Sequence, residues 1–158
     1  AGSELVLLVK KICELIESGA DFETVVEKAE LYSRHTHVVF ALSSFNNLVK
    51  NGRMSKIVGF VANKLGFWGI GIGSEQGTIE IKQKIRGSKK ALDAIIEDMK
   101  ERGYNCGKVV ISHCRNAEFA ESVKSAIQSV WDKAEVKIVH ARGLCSYYAE
   151  KGGLIIGF

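Results

Sequence analysis

The stretch VVISHCRNAEFAESVKSAIQSVWDKAEVKIVH, residues 109–140, decides the fold. It opens on a segment from Val109 to Cys114 that is β-branched at its first three positions, and it closes on another, Val136 to His140. Between them Phe119, Val123, Ile127 and Val130 recur at three- and four-residue spacing, which predicts a helix with those four side chains facing inward. Strands joined through a helix of this length run parallel, because a tight turn can only return the chain antiparallel. A strand-helix-strand unit of this kind belongs to a sheet with helices packed on it.

Outward from this unit, the remaining elements extend the same sheet. Downstream, Gly143 to Gly153 reads as irregular or briefly helical and Leu154 to Phe158 as a last strand. Upstream, Ser88 is placed to cap an amphipathic helix whose inner face is Leu92, Ile95, Ile96 and Met99 and which Gly103 ends. Before it, Ile70 and Ile72 alternate with Gly69, Gly71 and Gly73, and Ser74-Glu75-Gln76-Gly77 leads into Thr78 to Ile85. This predicts an antiparallel hairpin with Ile79, Ile81 and Ile85 on one face and Glu80, Lys82 and Lys84 on the other. Val38 to Leu42 reads as a buried strand, followed by helical pieces at Phe45–Lys50 and Met54–Leu65. Asn51-Gly52-Arg53 reverses the chain between those pieces, so Arg53 is expected to project from a turn. At the amino end, Leu5 to Ile16 is apolar nearly all round and needs cover on two sides. Gly19 stops that helix, Asp21 caps the next, and Phe22, Val25, Val26 and Ala29 form the second helix's inner face. The sum is an α/β fold, a mixed sheet of about six strands with helices packed on it, in one domain over residues 1–158.

Composition narrows the function classes. Of 158 residues, 46% are hydrophobic, which excludes disorder and leaves enough apolar mass for one core. No apolar run is long enough to span a bilayer as a helix, so no membrane span is expected. Cys13, Cys106, Cys114 and Cys145 form no C-x-x-C pair and have no zinc-ligand spacing, so free thiols in a reducing, cytoplasmic setting are expected. A net charge of +4 is too mild to call for nucleic acid by itself, and none is expected as a partner.

Four features have chemical potential, each with a plainer reading beside it. The glycines at 69–73 lack the third glycine of a dinucleotide fingerprint, and Gly107-Lys108 is followed by Val109 where a phosphate loop needs Ser or Thr. Those glycines instead admit either another part of the protein or a thin apolar ligand against the strand. Lys82, Lys84, Arg86, Lys89 and Lys90 gather five positive charges at a strand end and a helix start, either as a solvated face or as a site for a phosphorylated ligand or acidic partner. His35 and His37 stand two apart without a carboxylate at a set spacing, so no metal site is expected. His113 and His140 end the two parallel strands, where ligands gather in open sheets; the plainer reading is hydrogen-bonded strand-end histidines. Cys114 beside His113 points to the opposite face of the strand and makes no dyad with it.

In order and spacing these segments resemble the carboxy-terminal domain of the DegV family, fatty-acid-binding proteins that present an acyl chain to a fatty acid kinase. The resemblance rests on Val39-Phe40-Ala41-Leu42, on Asn51-Gly52-Arg53-Met54-Ser55-Lys56, which matches the family's GGRISK-like segment, and on Lys84-Ile85-Arg86-Gly87-Ser88-Lys89-Lys90. Val110-Ile111-Ser112-His113 and Gly152-Gly153-Leu154-Ile155-Ile156-Gly157-Phe158 complete it. It implies that this chain is the carboxy-terminal half of a two-domain protein with an apolar tunnel for a fatty acid. By the resemblance the ligand is lined by Arg53, Phe60, Val61, Ile70, Ile72 and Tyr148, with Arg53 neutralising its head. Arg86, Lys89 and Lys90 form part of the surface that docks the kinase, with no cofactor and no catalysis of its own. The family usually carries His-Thr-Gly-Pro-Gly before the last strand, whereas Tyr148-Ala149-Glu150-Lys151-Gly152 stands here. A tyrosine hydroxyl from Tyr147 or Tyr148 is then the available head-group donor, and Glu150 beside a carboxylate is expected to repel it. Two other functions remain open on the residues: a phosphoryl-transfer enzyme of the dihydroxyacetone-kinase-like fold group using His113 or His140, and a non-catalytic oligomerisation domain.

Overall fold

The computed structural model describes residues 2–54, 66–74 and 76–158. The described helices are α1 (Ser3–Glu17), α2 (Phe22–Arg34), α3 (Asn46–Lys50), α4 (Ser88–Glu101), α5 (Ala117–Val130) and α6 (Gly143–Ala149). The strands are β1 (Val38–Leu42), β2 (Phe67–Gly73), β3 (Ile79–Arg86), β4 (Lys108–His113), β5 (Glu135–His140) and β6 (Leu154–Gly157). They form one six-stranded sheet in the order β3-β2-β1-β6-β4-β5, in which β4 and β5 are parallel and every other pairing is antiparallel. The decisive stretch is therefore a parallel β4-α5-β5 unit, as its spacing predicts. The predicted helix at 54–65 lies outside the described residues beyond Met54.

Alternation along the strands divides the sheet into two unlike faces. Val39, Ala41, Ile70, Ile111, Leu154 and Ile156 point to one face and are buried under α4 and α5, which contribute Ile95, Met99, Phe119, Val123 and Ile127. The other face receives α1, whose Ser3 hydroxyl donates to the Ile155 carbonyl (2.7 Å) and lies 2.8 Å from the Ser112 hydroxyl. Beside α1, a smaller cluster of Phe40, Leu42, Phe45, Leu48 and Ala149 covers part of this second face among the described residues.

Five local expectations are corrected. Ser88 is the first residue of α4 and Gly87 its N-cap, with no side-chain bond at the cap. The hairpin does not keep one alternation: a bulge inserts Lys82 between the partners of Ile70 and Gly71. Ile79 and Ile81 therefore join the α1-side cluster, while Ile85 packs under α4. The same bulge carries the Lys82 ammonium to Asp98 (3.1 Å) and Glu101 (3.0 Å) on α4, which removes it from the positive cluster. On α2 no residue is buried, and Phe22 is 76% exposed where an inner face is predicted. Val130, the last residue of α5, is also exposed where an inner position is predicted. The cap at Asp21 is as expected, with its carboxylate accepting from the Thr24 N–H at 2.9 Å.

Candidate functional site

On the partly covered face, among the described residues, the strands, α3, α6, the amino end of α1 and the end of α2 border a slot of about 920 Å³. Its size lies at the upper end of small-ligand sites. Val38, Phe40 and Leu42, alternate residues of β1, line its length, with Ile155 of β6 paired across from Phe40. From Val38 to Leu42 this apolar floor runs about 13 Å at the rise of a strand. The glycine column of β2 explains why the floor is flat. A Cβ on Gly69 would collide with the ring of Phe45, and one on Gly71 with the ring of Phe40, so the two aromatic rings lie down across bare strand. The close-packing reading accounts for both glycines.

The two ends of the slot differ. At the near end, past Leu42, stand Leu48, Leu144, Arg53 and Tyr148. The Arg53 guanidinium lies 5.9 Å from the centre of the Tyr148 ring. Polar contacts between α3 and α6 hold this pair in place. Tyr147 and Tyr148 stack edge to face at 5.3 Å, Asn51 donates to the Tyr147 hydroxyl (3.0 Å), and Asn47 donates to the Tyr147 carbonyl (2.8 Å). Glu150 does not face the slot as a bare charge. Its carboxylate accepts from the Ser44 hydroxyl (2.6 Å) and from the Asn47 N–H (2.8 Å), one of the open donors at the start of α3. The repulsion expected of Glu150 is thereby reduced. Arg53 borders a second hollow of about 680 Å³ against β3, where Ile81 and Lys84 line the opposite wall.

The far end, past Val38, is a polar rim that includes Thr36, His37, Thr78, Arg34 and Arg102. Most of these groups are already engaged. Thr36 donates to the Ser33 carbonyl, Arg102 Nε is bonded to the buried carboxylate of Asp98 at 3.0 Å, and burial beside Arg102 holds the His37 imidazole below its ordinary pKa.

The sequence-predicted residues are distributed unevenly. Arg53 and Tyr148 meet at the near end, and Ile72 borders the far end. Ile70 is 1% exposed and points to the opposite face, beneath α4. Phe60 and Val61 lie outside the described residues. Arg86, Lys89 and Lys90 are exposed together where β3 meets α4, with Arg86 6.0 Å from the Phe67 ring and no acid in the first turn of α4. Val38, Phe40, Leu42, Leu48 and Ile155 were not singled out as slot residues. The signal for three of them is alternation within an apolar strand, which does not tell one buried face from the other.

The two histidines lie elsewhere. His113 is buried on the packed face with its ring 4.5 Å from that of His140, and its Nδ1 accepts from the Asn116 N–H at 3.1 Å. Burial, and then His140, lower its pKa. Cys114 points instead toward the Ser146 carbonyl at 3.8 Å. Among the described residues no three His, Cys, Asp or Glu side chains gather as a metal would need, and no helix is long and apolar enough to cross a membrane.

Known proteins match this architecture along its whole length. A protein from Streptococcus pyogenes serotype M1, named as a DegV domain-containing protein, is 43% identical over all 158 residues, which span 56% of that relative. The chain thus covers about half the length of the curated relatives it matches. Among solved structures, the Streptococcus pneumoniae Fatty Acid Kinase (Fak) B3 protein loaded with linoleic acid superposes with a TM-score of 0.97 at 41% identity, covering 100% of this chain and 56% of that one. A DegV family protein from Eubacterium eligens loaded with heptadecanoic acid gives 0.97 at 35% identity, covering 99% and 57%. The family model described as "Uncharacterised protein, DegV family" matches residues 1–158, and the chain belongs to the DegV family.

Proposed function

We propose that this chain binds a long-chain fatty acid in the slot and presents its carboxylate to a partner fatty acid kinase, with no catalysis of its own. In this reading the head group meets Arg53 and the Tyr148 hydroxyl at the near end. The tail lies over Phe40 toward Val38 and Ile72, Ile70 supports the floor from behind, and Phe60 and Val61 belong to the wall. The observation that carries the reading is one apolar floor bordered at one end by a guanidinium that lies over an aromatic ring, that of Tyr148. A hydrocarbon tail gains about 0.8 kcal/mol for each methylene it removes from water, and a cation at one end fixes its direction. The lipid-loaded relatives support the same ligand class. The kinase would dock on Arg86, Lys89 and Lys90. Arg53 supports that side as the route, since it borders both the slot and the hollow against β3.

Two further parts of the reading concern context. The chain would be the carboxy-terminal half of a two-domain protein. The share of its relatives that it spans supports this, as do the exposed apolar residues Leu5, Val9, Ile16 and Phe22 on α1 and α2. Its four free cysteines support a cytoplasmic setting.

Native mass spectrometry of the full-length protein purified from a bacterial host tests the ligand. The expected outcome is a mass increment of a long-chain acid that disappears on delipidation and returns on incubation with such acids. Recovery of only ligand-free protein after that incubation rejects the reading. Arg53→Ala is expected to weaken rebinding about tenfold and Arg34→Ala to leave it unchanged; the reverse order would place the head group at the other end.

A further inference from the structure

The packing that demands glycine at 69 and 71 does not demand it at 73. Gly69 and Gly71 lie under the rings of Phe45 and Phe40 and leave no room for a Cβ. Gly73, next on the same face of β2, is exposed, and among the described residues no ring lies against it. Among the described residues a Cβ there would meet Val38 Cγ1 alone, at 3.1 Å, a contact relieved where the valine shifts by a few tenths of an ångström. Its backbone is in a region open to any residue, since it is not among the glycines with positive φ. Among the described residues neither backbone strain nor core packing accounts for a glycine at this position. Its location does: Gly73 lines the far end of the slot, beside Val38, where the apolar floor gives way to the rim of Thr36, Thr78 and Arg34.

We propose that Gly73 sets which acyl lengths the slot accepts, its bare backbone leaving the far end open so that a tail longer than the floor runs out past Val38. This rests on the fatty-acid reading and adds to it a rule of selection. A slot closed by a side chain rejects long tails through steric conflict. An open one lets affinity climb by about fourfold per methylene over the floor and then level off, because methylenes beyond Val38 enter a polar, wet rim and gain little.

The test measures displacement of a fluorescent fatty acid from the delipidated full-length protein by straight-chain acids of about ten to about twenty carbons, the range over which the methylene increment is resolved. For the unaltered protein the expected curve rises and then plateaus without a fall. Gly73→Val is expected to leave the shortest acids within twofold and to cost the longest at least tenfold. Gly73→Ala, which adds only the Cβ that meets Val38, gives a smaller loss with the same length dependence and serves where the valine variant does not fold. Equal losses at every length, no loss at any length, or a sharp fall for long acids in the unaltered protein overturns the proposal while leaving fatty-acid binding intact. Failure of the unaltered protein to bind any acid in the series instead removes the fatty-acid reading, and this proposal with it.

Discussion

The α4-α5 face and the α1 face of this sheet are built from neighbouring residues of the same strands. On the first, Val39, Ala41, Ile111, Leu154 and Ile156 meet two amphipathic helices, and all five are fully buried. On the second, Val38, Phe40, Leu42 and Ile155 meet the end of α1, two short helices and a slot of about 920 Å³. A period-two strand gives both faces the same apolar supply, so the difference comes from what lies over them. Long helices whose apolar stripes match the sheet fill one face; on the other, among the described residues, α1 packs over β4 and β6, and α3 and α6, of five and seven residues, leave the β1 floor open. Stability and binding capacity are thus carried by opposite sides of one layer.

Substitutions that separate the two faces test this division, and the largest effect is expected on the packed side. Ile111→Ala is expected to cost about 2–5 kcal/mol in urea unfolding and to change fatty-acid affinity little once folded. Ile155→Ala, half-buried on the slot side, is expected to cost about 1 kcal/mol of stability but to weaken lipid binding severalfold. If the stability losses were equal, the two faces would not differ in the way described.

The next effect is a dependence on pH, and it sharpens the contrast because its source lies under α5. Burial and His140 keep the His113 imidazole from protonating at its ordinary value. In the unfolded chain the ring titrates near ~6.5, so below that pH the unfolded state binds a proton that the folded state resists. Stability is therefore fully present at neutral pH and falls as pH drops from about 6.5 toward the lowered folded value. His37 is shifted in the same direction and adds to the slope. Urea midpoints measured across this range should flatten in His113→Gln; an unchanged slope would assign the titration elsewhere. The smallest effect on stability is expected at the outer edge, from Lys89→Gln with Lys90→Gln. These exposed residues are expected to shift unfolding by less than about 0.5 kcal/mol, yet to weaken kinase association in a salt-dependent manner. Association that is indifferent to both substitutions and to salt would remove this surface from the docking site.

Much of this molecule was legible before any coordinates. The parallel β4-α5-β5 unit followed from Val109–Cys114, the helical spacing of Phe119, Val123 and Ile127, and Val136–His140. The Asp21 cap and the exposed turn at Arg53 followed from single residues whose preferences are local. Where expectation and structure part, a long-range contact decides. Lys82 leaves the positive cluster because a bulge brings it to Asp98, and Ile70 and Ile72, two residues apart on one strand face, end in a closed core and at a slot rim. Glu150 is taken up by Ser44 and Asn47, residues more than a hundred positions away.

What the sequence determined alone is the set of elements, their amphipathic periods and the arginine turn, because hydrogen-bonding geometry and side-chain branching act within a few residues. Which sheet face would be filled and which left hollow was decided only in the tertiary structure. Both faces carry the same kind of side chain, and the difference lies in the length and placement of helices brought over them by the path of the whole chain.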